Sequence, residues 1–199
     1  MLAAATPALR ADMAPYTLIP ERDRMVVDAA AKWLRPIQWQ WFVTLTFPWN
    51  VKGETADAKL KEWLNLIERT LKTRICFVAG KERKPHSLGM EVPWHFHLLV
   101  TSCIAIPQGL VERAWTDVVV CGARHLLKDG AVDDSVLVES YELNRRGPEY
   151  CLKSLNSSNG DWSFRWLELF HPYMKQSGSP NHVSIRQRAR FVTQQGSLG

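Results

Sequence analysis

Two histidines stand two residues apart in the run Trp94-His95-Phe96-His97-Leu98-Leu99-Val100, an otherwise apolar, strand-like segment. Side chains in a strand alternate faces, so His95 and His97 project from the same side of a sheet. A pair of half-buried structural histidines is the plain explanation. Two unpartnered imidazoles on one apolar face are costly, however, which favours a shared partner. Glu82, in Ala79-Gly80-Lys81-Glu82-Arg83, ends the preceding apolar stretch, and a hairpin would bring its carboxylate across to the pair. Two imidazoles and one carboxylate leave positions open on a divalent ion, as Lewis-acid chemistry requires. Glu91 is nearer in sequence, but it shares the histidine face only if the strand begins before Pro93.

A second group follows in Glu149-Tyr150-Cys151-Leu152-Lys153. Tyrosine and lysine three apart on a helix share one face. A tyrosine hydroxyl attacks phosphorus when a cation eases loss of its proton and a metal withdraws charge from the phosphate. Lys153 suits either task. Tyr141 is the rival nucleophile, although its expected strand position suits a core residue. Other H-x-H chemistries fit less well. Leu98 to Ile106 holds no glutamate of the cupin kind, and neither H-x-H-x-D-H nor paired H-x-T motifs occur.

Several elements must position these groups. Met25, Val26, Ala29, Ala30, Trp33 and Leu34 predict an amphipathic helix over 21–34, stopped by Pro36. Trp39 to Phe47 predicts a strand ended by Pro48, with Val43, Leu45 and Phe47 on one face and Thr44 and Thr46 on the other. Leu60, Trp63, Leu64, Ile67 and Leu71 form the apolar stripe of a helix over 55–73. Ile75 to Ala79 predicts a strand, Gly80 to Pro93 a basic hairpin loop, and His95 to Thr101 an antiparallel return. Pro107 opens a helix to about Val119, Ser135 to Tyr141 reads as a strand, and about Pro148 to Leu155 as a helix. An aromatic cluster (Trp162, Phe164, Trp166, Phe170, Tyr173) follows Gly160, and a basic run (Arg186, Arg188, Arg190) lies near the end. The order β-α-β-β-α-β-α implies an α+β fold, one sheet with helices mainly on one face.

The chain of 199 residues suits one domain, and its 46% apolar content is enough for a core without metal or disulfide staples. We expect an arm over 1–20, a domain over 21–175 and a basic tail over 176–199. Nine tryptophans are many, and several are expected near the surface. The net charge of +5 favours a polyanionic partner. Cys76, Cys103, Cys121 and Cys151 form no C-x-x-C pair, which predicts free thiols in a reducing compartment. No run approaches the ~20 apolar residues of a membrane span, and the expected location is cytoplasmic.

The strand ending Thr44-Leu45-Thr46-Phe47, the His95-Phe96-His97 triplet and Tyr150-x-x-Lys153 together resemble the three motifs of HUH endonucleases, in order and in approximate spacing, over Trp39 to Leu155. These are the Rep initiators of rolling-circle replication, with relaxases and single-strand transposases as relatives. The resemblance implies a ferredoxin- or RRM-like fold, a central antiparallel sheet of about five strands flanked by helices, with Phe96 in the core. It also implies Mg²⁺ or Mn²⁺ held by His95, His97 and a third ligand, for which Glu82 is the choice. Tyr150 would attack the scissile phosphate of single-stranded DNA at an origin or hairpin, leaving a 5′-phosphotyrosyl link and a free 3′-OH, with Lys153 assisting. Ser154 stands where a two-tyrosine Rep carries its second tyrosine, which implies the single-tyrosine type. A plasmid or phage replicon and host replication proteins are the implied setting.

On that resemblance Lys81, Arg83 and Lys84, with His86, would bind the DNA backbone beside the metal, and Arg145 and Arg146 would do so ahead of the nucleophile helix. Exposed Trp or Tyr would stack unpaired bases. Relaxases usually add a third histidine and a further domain, and neither is evident. A non-catalytic RRM-like nucleic-acid-binding module predicts aromatics on the sheet face where this chain carries histidines. An enzyme of unrelated fold with a structural histidine pair is the remaining reading.

Overall fold

The computed structural model describes residues 21–83, 93–120, 135–153 and 160–172. The expected N-terminal arm and basic tail, with Arg186 to Arg190, lie outside them, as do Lys84, His86, Glu91 and Cys121. In chain order the elements are α1 (Glu21–Leu34), β1 (Trp41–Thr46), α2 (Gly53–Leu71), β2 (Cys76–Glu82), β3 (His95–Thr101), α3 (Gln108–Val120), β4 (Val136–Ser140), α4 (Gly147–Leu152), β5 (Gly160–Arg165) and α5 (Leu167–Phe170). The five strands make one sheet in the order β4-β1-β3-β2-β5, antiparallel at every pairing. The fold is α+β. No helix among the described residues is long and apolar enough to cross a membrane.

Period-two alternation in the three central strands sends two residue sets to opposite faces. Val43 and Leu45 of β1, Phe77 and Ala79 of β2, and Phe96, Leu98 and Val100 of β3 join Leu60, Trp63, Leu64 and Ile67 of α2 and Val111, Trp115 and Val118 of α3 in one core. The indoles of Trp63 and Trp115 are fully buried and nearly perpendicular, 6.5 Å apart. Each donates its N–H to a backbone carbonyl, of Val111 and Thr46 respectively, so the two large rings enter the core without stranding a donor.

The second face is covered as well, which corrects the expectation of helices mainly on one side. Cys76, Val78 and Leu99 of the sheet pack with Val27, Ala31 and Leu34 of α1, Cys151 and Leu152 of α4, and Leu167 of α5. The apolar stripe of α1 and the wholly buried α4 need a surface to cover, and the sheet's second face is the one left.

Two further differences bear on the site. β2 runs on to Glu82 instead of ending at Ala79, because residues 80–82 find partners on both sides, His97 to His95 in β3 and Trp162 to Gly160 in β5. β5 forms from the tail's aromatic cluster. Its alternation Asp161, Trp162, Ser163, Phe164, Arg165 is that of a half-buried strand, with Trp162 and Phe164 stacked toward the second face. Of the nine tryptophans, Trp39, Trp63 and Trp115 are buried and the other six are half-buried, so none stands fully exposed as a stacking platform.

Candidate metal centre

The register of the sheet brings the polar residues together at one end of the second face. Glu82 lies opposite His95, Gly80 opposite His97, and on the other side Thr44 lies opposite His97 and Thr46 opposite His95. One strand thus supplies two imidazoles, one neighbour supplies the carboxylate and the other a hydroxyl. Oε1 of Glu82 is 3.0 Å from Nε2 of His95 and 2.9 Å from Nε2 of His97. Ligand atoms from all three residues lie within 4.8 Å of one another, a spacing that can hold a metal ion. Phe96, between the histidines, faces the opposite core.

The imidazoles are oriented from behind. Nδ1 of His97 is 3.1 Å from the hydroxyl of Thr44, and Nδ1 of His95 is 3.5 Å from the carbonyl of Pro93. Two tautomers fit: with Nδ1 protonated, His97 donates to Thr44 and leaves a lone pair at Nε2 for a metal, and with Nε2 protonated it accepts from the Thr44 hydroxyl and donates to Glu82. Phe42 of β1 stacks on the His97 ring at 6.1 Å between centroids. His95 is half-buried and His97 buried, so the site opens to solvent on the His95 side.

α4 closes the other side, and a glycine lets it approach. A Cβ at residue 80 would stand 2.0 Å from the carbonyl oxygen of Cys151, so only glycine permits the helix to rest on the sheet there. The helix starts after Arg146, which takes a left-handed conformation (φ 54°), with Pro148 in its first turn. Its buried Glu149 pairs with Arg35, just past α1, and lies 3.7 Å from Arg146. That tie joins α4 to α1 across the second face.

Seated this way, α4 puts the Tyr150 ring edge-on to His97 at 4.5 Å and to Phe42 at 5.7 Å. Tyr150 is 8% exposed. The helix runs to Leu152, and Lys153 is its C-cap, with its N–H directed to the Tyr150 carbonyl; the expected end at Leu155 lies outside the described residues. The lysine still lies about one turn beyond Tyr150. Its Nζ is 2.7 Å from Oε1 of Glu82 and 3.6 Å above the Tyr150 ring.

Electrostatics follow from this packing. Burial raises the Glu82 carboxyl, but hydrogen bonds from His95 and His97 and the Lys153 ammonium outweigh it and hold the group well below the usual carboxylate range. Burial lowers His97 to about 4, reinforced by Lys153 and opposed by Glu82, so the ring is neutral at pH 7. Three nitrogens converge on one carboxylate oxygen, which has lone pairs for about two donors. At least one of them is therefore better placed as a lone-pair donor to a cation than as an N–H.

The remaining candidates are distributed elsewhere. Lys81 alternates to the α2 side of the sheet, where it pairs with Asp57 at 2.7 Å and lies 5.1 Å above the Trp94 ring. The Arg83 guanidinium is 5.6 Å from the same ring. Arg145 pairs with Glu139 at 3.2 Å and Glu142 at 3.0 Å. Tyr141 follows β4 instead of lying within it and packs on the start of α4, its ring 3.0 Å from where a Cβ of Gly147 would stand. Its buried hydroxyl has no hydrogen-bond partner among the described residues, and burial, then Glu149, raises its pKa.

Sequence reasoning misses the positioning roles of Thr44, Gly80 and the Arg35–Glu149 pair. Strand alternation puts Thr44 on the correct face, and only the register shows it behind His97. Gly80 reads as a loop residue. The Arg35–Glu149 tie spans 114 positions and leaves no local signal. No family model, no curated protein and no solved structure matches the chain.

Proposed function

We propose that this protein is a metal-dependent endonuclease and strand transferase of the HUH kind that acts on single-stranded DNA through Tyr150. One observation carries the reading: Glu82, His95 and His97 converge on the face against which Tyr150 and Lys153 are packed. Side chains from two strands and from the cap of a helix, Glu82, His95, His97 and Lys153, meet around one carboxylate oxygen.

Mg²⁺ or Mn²⁺ is the ion that the HUH resemblance implies; two imidazoles and a carboxylate are also a donor set for zinc or iron, so the choice of ion rests on the resemblance. When bound, the ion would withdraw charge from the scissile phosphate. Glu82, His95 and His97 would hold it, with Thr44 fixing the His97 ring. The Tyr150 oxygen would form a bond to phosphorus as the bond to the 3′-oxygen breaks; the phenol proton leaves, and a proton reaches the 3′-oxygen. Lys153, above the phenol ring, would favour the phenolate and the charge of the phosphate.

A non-catalytic RRM-like module would keep one sheet face open for bases, and here helices cover both. The chemistry is shared by Rep initiators, single-strand transposases and relaxases, and the single tyrosine does not separate an initiator from a small transposase.

The test incubates the protein and Mn²⁺ with a labelled pool of single-stranded oligonucleotides and looks for a covalent adduct in denaturing gels. We expect an adduct that is lost in Tyr150→Phe and in EDTA and kept in Tyr141→Phe. An adduct that follows Tyr141 would overturn the nucleophile assignment, and one that survives EDTA the metal requirement.

A further inference from the structure

The lysine beside the metal ligands has a place of its own to explain. Lys153 does not point to solvent, as a helix-terminal lysine ordinarily does; its side chain is 6% exposed. Its ammonium sits 2.7 Å from the same Oε1 of Glu82 that faces both imidazoles. A buried carboxylate needs a counter-charge, and the ammonium supplies one from the end of a flexible four-carbon stem. A divalent ion held by Glu82, His95 and His97 would seek that same oxygen. An ammonium and a divalent cation repel at such separation, so the two compete for that oxygen. The lysine has somewhere to go, because its Nζ already lies 3.6 Å above the Tyr150 ring, whose π face binds a cation.

We propose that Lys153 is a resident counter-cation of the metal centre: it neutralises Glu82 until a divalent ion enters, is displaced by that ion, and is thereby released beside Tyr150. The inference rests on the metal-site reading above. It gives the site a fixed order, in which the metal arrives first and frees the ammonium that then meets the DNA phosphate. It also explains how a buried carboxylate is kept charged and in place before the metal binds, with no rearrangement of the sheet. Only the lysine side chain moves.

Two measurements on the full chain test it without relying on nuclease activity. The first is the rate at which an N-hydroxysuccinimide ester acetylates Lys153, read by mass spectrometry, in EDTA and in Mn²⁺. Displacement from Glu82 should raise that rate roughly tenfold, since the ion can shift the lysine by as much as it prefers the displaced state. Exposed Lys72 should react equally in both. The second is Mn²⁺ affinity by calorimetry for wild type and Lys153→Gln. Loss of one competing unit charge should tighten binding roughly tenfold. If Mn²⁺ binds the wild type and is lost in the His95→Ala, His97→Ala double variant, yet Lys153 reactivity does not change with metal, the inference is overturned and the metal site stands. If Mn²⁺ does not bind the wild type, the metal-site reading falls and this inference with it.

Discussion

Two buried glutamates lie at the second face of the sheet and are held in opposite ways. Glu149 is 1% exposed and tied to the guanidinium of Arg35, with Arg146 nearby. Glu82 is 7% exposed and faces two imidazoles and an ammonium. A guanidinium keeps its charge and has no lone pair to offer, so the first pair can only hold two helices together. An imidazole can surrender its Nε2 proton to solvent and take a metal in its place, so the second cluster can exchange partners. Similar burial thus suits anchorage in one case and would suit exchangeable metal binding in the other, and the partner's chemistry decides which.

The largest expected effect comes from breaking each member separately. Glu82→Gln should weaken Mn²⁺ binding about a hundredfold or more, since loss of even an outer-shell partner costs about 10–100-fold. Arg35→Ala should instead lower the unfolding free energy by roughly 2 kcal/mol, below the 3–5 kcal/mol of a fully buried pair because the Arg35 side chain is 46% exposed. Its Mn²⁺ affinity should stay near wild type. Calorimetry and urea unfolding on both variants check the contrast, and a Glu82→Gln protein that binds Mn²⁺ normally would erase it.

Gly80→Ala tests the element the two glutamates share, for α4 carries Glu149 and leads into Lys153. Its new methyl would meet the Cys151 carbonyl, forcing the helix off the sheet. A stability loss of about 1–3 kcal/mol is expected, together with reduced DNA adduct formation. Stability and activity both unchanged would mean that α4 need not rest on the sheet.

The smallest effect is the pH dependence that separates the two kinds of partner. In metal-free protein, burial holds His97 at about 4 against 6.5 in the unfolded chain. Between those values the unfolded state binds a proton that the folded state refuses, so stability falls as pH drops from 6.5 toward 4. The slope should approach 1.4 kcal/mol per pH unit at about one proton. In His97→Gln this contribution should vanish, whereas in Arg35→Ala it should persist. Urea midpoints between pH 7 and pH 4 give the comparison.

Much of the fold was legible because amphipathic periodicity is a local property. The stripe of α2 and the alternation of β1 and β3 are written in residues that lie within a few positions of one another. The end of β2 and the whole of β5 were not legible, because residues 80–82 become strand only when β3 and β5 pair with them. The second helical layer was hidden for a related reason. Covering the far face depends on α1 and α4 being brought together, by contacts such as Arg35 with Glu149.

For the site, the sequence alone determined that His95 and His97 share a face and that Phe96 does not. That follows from strand geometry and needs no neighbour. It also placed Tyr150 and Lys153 one helical turn apart. Only the tertiary structure decided that Glu82 faces His95, that Thr44 stands behind His97, and that Gly80 admits α4 close enough to set Lys153 on the carboxylate. Those facts depend on strand register and on the close approach of a helix to a sheet. Both are set by pairing partners far away in the chain, which no local pattern encodes.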